Sequence, residues 1–152
     1  MLLLRLKNTQ DKVMMTKRYS ELVKLPTLRE RFDYLRLKGS VGEATFGVDR
    51  YLNQILYSST RWKTFRRKII IRDNGCELAL EDNEIVDKIY IHHMNPITIQ
   101  DVETNSSLIF DPENVVCCSF SMHNAIHFGT DPFVINRFVP VERKPNDTCL
   151  WK

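Results

Sequence analysis

The chain has four histidines in 152 residues, and they fall into two pairs: His92 and His93, and His123 and His127. A four-residue spacing on a helix puts both imidazoles on one face, one turn apart. That arrangement suits two nitrogen ligands on a single metal ion. The adjacent pair ends the most strand-like segment of the chain, where successive side chains alternate between faces. One of those two rings could therefore join a metal while its neighbour faces a substrate. Either pair alone is a common coincidence. All the imidazoles of the chain lying within 36 consecutive residues is harder to dismiss.

The elements that must position these rings can be read from caps and periodicity. Thr27-Leu28-Arg29-Glu30 after Pro26 is a capping box, with Leu28, Phe32 and Leu35 at helical spacing and Gly39 as the stop. Asp49 can cap a short helix carrying Leu52, Ile55 and Leu56. Ser58-Ser59-Thr60 breaks that helix and caps the next, over 60–72, with Trp62, Phe65 and Ile69 on one face. Asp73-Asn74-Gly75 is a turn signal. Beyond it the period changes. Cys76–Leu80 reads as a short strand and Glu84–His93 as an extended segment with Ile85, Ile89 and Ile91 as its apolar members. Pro96 and the polar residues through Ser107 read as a long loop, Asp111-Pro112-Glu113-Asn114 as a turn and Val115–Cys118 as a strand. Ser121–Phe128 reads as a short helix stopped by Gly129. Residues 1–16, with Met14 and Met15 as alternative starts, are expected to be poorly ordered. Pro132, Pro140 and Pro145 suggest an irregular tail over 130–152.

Composition fits one compact domain, with 43% hydrophobic and 27% charged residues. No apolar run approaches the roughly 20 residues of a membrane helix, and Met1–Leu6 is too short for a secretory signal. An intracellular protein is therefore expected. Charge is uneven: residues 1–72 carry 17 Lys and Arg against 6 Asp and Glu, whereas 73–152 carry 5 against 13. A basic surface for a polyanion fits this pattern, as does an ordinary solvated face. Cys76, Cys117, Cys118 and Cys149 form no CxxC pair, so reduced, mostly buried thiols are expected.

Three segments together carry a resemblance: His92-His93-Met94-Asn95-Pro96, then Asn114-Val115-Val116, then His123-Asn124-Ala125-Ile126-His127. This succession resembles the signature of the HNH (ββα-metal) endonucleases. The His-His start and the His-x-x-x-His end are most similar to the colicin-type nucleases. Upstream, Arg50-Tyr51-Leu52-Asn53-Gln54, Trp62-Lys63 and Ile71-Arg72-Asp73-Asn74-Gly75-Cys76 resemble small HNH proteins encoded by bacteriophages. The core signature covers about 76–128. Many members hold the fold with a structural zinc on two CxxC pairs. Here Cys76 is followed at +3 by Ala79, and the second pair would fall on Ser119 and Met122. Apolar packing must take the place of that zinc.

The resemblance implies an α+β chain: a helical basic region over 17–75, a ββα-metal finger over 76–129, then the tail. It implies His92, His123 and His127 as ligands of one divalent ion, with Mg²⁺, Mn²⁺, Zn²⁺ and Ni²⁺ all open. His93 would be the general base that deprotonates the attacking water. Asn114 would tie the long loop to the strand and so aim that base, although an Asn in such a turn is common in any protein. Arg61, Lys63, Arg66, Arg67 and Lys68 on the 60–72 helix are candidates for phosphate contacts, and Trp62 and Phe65 are read as core. The implied substrate is double-stranded DNA, in a bacterial host's cytoplasm if the chain is phage-encoded, with a phage terminase or packaging protein as a further partner. The alternatives are a ββα module that holds metal and DNA without cutting, and a protein with a purely structural histidine-zinc site.

Overall fold

The computed structural model describes residues 15–37, 50–129 and 131–133, with 50–53 described by their backbone alone. Among the described residues, six α-helices and two strands follow in the order α1 (Tyr19–Leu22), α2 (Leu28–Leu35), α3 (Arg50–Ser58), α4 (Thr60–Arg72), β1 (Tyr90–His93), α5 (Ile99–Glu103), β2 (Val115–Cys118) and α6 (Phe120–Phe128). The chain is thus α+β, with a two-stranded antiparallel sheet. No helix among the described residues is long and apolar enough to cross a membrane.

Helix starts follow the expected chemistry. The Thr27 side chain accepts from the Glu30 N–H while Glu30 reaches back, so α2 opens on a complete capping box. Ser59 ends α3 and caps α4 through the Trp62 N–H. Asp49 and Gly39 lie outside the described residues, as do the 1–14 stretch and most of the tail.

Three expectations are corrected. Cys76–Leu80 is not a strand: Glu77–Ala79 is a 3₁₀ turn, because Leu78 (φ 49°) and Ala79 (φ 59°) adopt left-handed backbone. Leu78 is fully buried, and its packing offsets that strain. Glu84–His93 is a strand only from Tyr90 onward, Glu84 contributing one isolated bridge to Cys76. The long loop after Pro96 contains α5, opened by a capping box between Thr98 and Asp101.

The sheet is the organising layer. Tyr90 pairs with Cys118, Ile91 with Cys117, His92 with Val116 and His93 with Val115. All four residues of β2 are buried because both faces are covered. Val116 and Cys118 pack with Leu22, Phe32, Leu35, Leu78 and Met94 and with Met122, Ala125 and Ile126 of α6. Val115 and Cys117 pack on the other side against Trp62, Phe65 and Ile69 of α4, which are core as expected. A third cluster joins Leu56, Ile97 and Ile109. The first cluster crosses the 75/76 boundary, so α1 and α2 share a core with the sheet and α6.

Two cations hold backbone rather than solvent. Arg31, 5% exposed, donates to the carbonyls of Val23, Leu25 and Leu78. Arg72 pairs with buried Asp73 at 2.7 Å and donates to the Pro112 and Val115 carbonyls, while Asp73 accepts the Cys117 N–H. The end of α4 is thereby fastened to β2.

Candidate metal centre

His92 and His93 leave β1 on opposite faces because a strand alternates its side chains. His92, opposite Val116, lies on the α6 side, and His93, opposite Val115, lies on the α4 side. On α6, Ser119 caps the first turn through the Met122 N–H, and Gly129 (φ 72°) closes the helix in the left-handed conformation. Burial of Met122, Ala125 and Ile126 fixes the rotation of the helix and leaves His123 and His127 together beside β1.

The three rings converge. Centroids are 5.5 Å apart for His92 and His123, 5.1 Å for His92 and His127, and 4.4 Å for His123 and His127. One nitrogen from each lies within 4.8 Å of the others, the only such group of His, Cys, Asp or Glu side chains among the described residues. His92 is 2% exposed, and neither of its ring nitrogens has a hydrogen-bond partner. A buried polar group without a partner costs free energy, and a cation shared with two neighbouring imidazoles would satisfy it. Burial, then mutual repulsion, holds His92 well below its ordinary pKa and His123 at about 4; burial also lowers His127. Three neutral imidazoles are the form that binds a metal. The donor set, three ring nitrogens with no thiolate and no carboxylate, fits a divalent ion of the Zn²⁺ or Ni²⁺ kind.

His93 is held differently. Its ring stacks on Trp62 with centroids 5.6 Å apart, and its Nε2 lies 3.0 Å from the Ile109 carbonyl oxygen. A carbonyl can only accept, so Nε2 carries the proton and Nδ1 of the neutral ring is left with a free lone pair. Burial brings the His93 pKa down to about 4, opposed by the Ile109 hydrogen bond.

Asn114 explains why that carbonyl is where it is. Fully buried, it donates from Nδ2 to the Leu108 carbonyl and accepts at Oδ1 from the Asn95 N–H and the Asn95 Nδ2. Its own carbonyl accepts the Met94 N–H at 2.7 Å. The loop that presents Ile109 is thus tied to the residues that follow His93. Asn95 passes the link on: its Oδ1 accepts from the Thr16 N–H and hydroxyl and the Lys17 N–H, and its Nδ2 donates to the Lys17 carbonyl. Asn114→Ala would strand the Leu108 carbonyl and two Asn95 donors, at about 1–3 kcal/mol for each buried orphan. Urea denaturation should show a loss of about 3 kcal/mol or more. A loss under about 1 kcal/mol would make Asn114 an ordinary turn residue.

The basic helix is split by the structure. Arg66 donates to the Ile89 carbonyl at 2.7 Å, and Arg61 lies 3.9 Å over the Phe110 ring and donates to Asn105. The side chains of Lys63, Arg67 and Lys68 are exposed and make no ion pair or hydrogen bond to other described residues. Sequence reasoning missed the Ile109 carbonyl and the Asn95 clasp. The Asn next to Pro96 carried no signal that could have found the latter.

In comparisons with known proteins, no family model, no curated protein and no solved structure matches this chain.

Proposed function

We propose that the chain is a metal-dependent DNA endonuclease of the HNH type, with β1, β2 and α6 as its ββα-metal finger. The observation that carries this reading is the junction of two differently built imidazole sites on adjacent residues. His92 belongs to a three-ring cluster with orphaned nitrogens, and His93 is a neutral ring fixed by a carbonyl. A purely structural metal site has no use for the second.

His92, His123 and His127 would hold the ion, which supplies Lewis-acid stabilisation of charge on the scissile phosphate. His93 Nδ1 takes the proton of the attacking water as its oxygen bonds to phosphorus. The Ile109 carbonyl keeps Nε2–H in place and stabilises the imidazolium that forms. The bond from phosphorus to the 3′ oxygen breaks, giving a 5′ phosphate and, after protonation by solvent, a 3′ hydroxyl. Asn114 is a positioning residue in this scheme.

The test is supercoiled plasmid incubated with Mg²⁺, Mn²⁺, Zn²⁺ or Ni²⁺ in turn. Nicked or linear product with at least one ion, and none with EDTA, is expected. Intact plasmid with all four would overturn the reading.

For duplex binding, Lys63, Arg67 and Lys68 are the expected phosphate ligands. Replacing all three with Ala should lower the slope of log K against log salt by about 0.9 for each phosphate no longer neutralised. Arg66→Ala should weaken folding through the Ile89 carbonyl and leave that slope nearly unchanged. Equal slopes for the triple variant and the wild type would remove α4 from the interface.

A further inference from the structure

We propose that Phe120, Tyr90 and Lys88 form a base-stacking platform beside the metal centre that takes an unpaired nucleotide of DNA. This rests on the nuclease reading and narrows its substrate. An exposed aromatic residue alone needs no explanation. Phe120 differs in its company. It sits in the first turn of α6, 57% exposed, while Met122, Ala125 and Ile126 of the same helix fill the core. Its ring centroid is 5.6 Å from that of Tyr90, whose ring is in turn 5.8 Å from His123. The ammonium of exposed Lys88 lies 5.4 Å from the Tyr90 centroid. A cation and two rings therefore lead from solvent to a residue of the metal-ligand cluster.

Surfaces that hold single-stranded nucleic acid combine aromatic faces for the bases with cations for the backbone. Lys88 supplies one ammonium, the kind of group a backbone phosphate can pair with. Phenylalanine has no group with which to read a base edge, so stacking here tolerates any base. In a paired duplex each base is already stacked on both sides, and only a bulged, frayed or single-stranded base has a face to offer. The other aromatic stack near the site, Trp62 on His93, cannot receive one because Trp62 is 5% exposed and packed in the core.

The experiment uses the full chain in the His93→Ala background, to keep DNA uncut, with the ion that supports plasmid cleavage by the wild type. The probes are a short fluorescent duplex with one unpaired 2-aminopurine and the same duplex fully paired. Phe120→Ala should weaken binding of the bulged duplex by about five- to hundredfold and abolish the quenching of 2-aminopurine, while leaving the paired duplex nearly unaffected. Phe120→Leu, which keeps apolar bulk without a ring, should behave like Phe120→Ala, and Phe120→Trp should restore binding and quenching. Equal effects on both duplexes, or none, would overturn the platform. A change of Phe120→Ala from dimer to monomer in sedimentation would overturn it too, assigning the patch to a second copy of the chain. A wild type that cuts plasmid but shows no preference for the bulge sinks the platform alone. One that neither cuts nor binds DNA sinks the nuclease reading with it.

Discussion

His93→Ala is expected to slow plasmid cleavage by about 10²- to 10⁴-fold, the usual contribution of a positioned general base, while ion binding stays close to that of the wild type. The two halves of this result follow from strand geometry. His93 lies on the α4 side of β1 with its Nε2–H given to Ile109, whereas the cluster of His92, His123 and His127 lies on the α6 side. Removing one ring need not disturb the other set. Isothermal titration with Zn²⁺ alongside single-turnover cleavage measures both. Because the ring also packs on Trp62, thermal unfolding of the variant should accompany the assay, so that a lost fold is not read as lost chemistry. Cleavage that persists at the wild-type rate would remove His93 from the reaction.

The second large effect is on removal of the ion. Chelation with EDTA is expected to abolish cleavage and leave the protein folded. The physical ground is where the apolar packing lies. Clusters built on Phe32 and Trp62 cover the two faces of the sheet, and a third on Ile109 packs Leu56 of α3 against the segment after Pro96, all from apolar side chains alone. The imidazoles lie between β1 and α6 rather than at the centre of a cluster. Adding the ion should raise stability only by mass action, about 2.7 kcal/mol at a hundredfold excess over Kd. His127→Ala should weaken binding beyond the roughly 10- to 100-fold that loss of an outer partner costs. Far-UV circular dichroism before and after chelation decides the matter. Collapse of the helical signal would make the site structural, like a zinc finger, and would take away the reason for assigning it a reaction.

The parts of the fold legible in the sequence are those governed by local rules. The Thr27–Glu30 box, the Ser59 cap and the Gly129 stop depend on neighbours within a turn, and each is found where the residues place it. The convergence of three histidines was legible in part: helical spacing pairs His123 with His127, strand alternation sends one of His92 and His93 to a given face, and only the family resemblance singled out His92. Less accessible were features made by distant partners. Arg66 reads as a phosphate ligand until the Ile89 carbonyl, 23 residues away, is seen to hold it. Asn95 acquires meaning only from Thr16 and Asn114. The 3₁₀ turn at Glu77–Ala79 contradicts the local preference of Leu78, and only the core around that side chain explains it. Helix α5 is a different case, since Thr98 and Asp101 stand at capping-box spacing and the signal was there to be used.

The sealed thiols of β2 offer a clock for the layers packed on its two faces. Cys117 and Cys118 are fully buried, and burial raises the pKa of both, so neither presents a thiolate while the sheet is closed. Alkylation of Cys117 must await release of α4 from one face of the sheet, and of Cys118 release of α2 and α6 from the other, so the two rates count those openings. With Cys76 and Cys149 replaced by serine, iodoacetamide labelling would report how firmly each face of β2 is covered, α6 with its two histidines included, without altering a single imidazole.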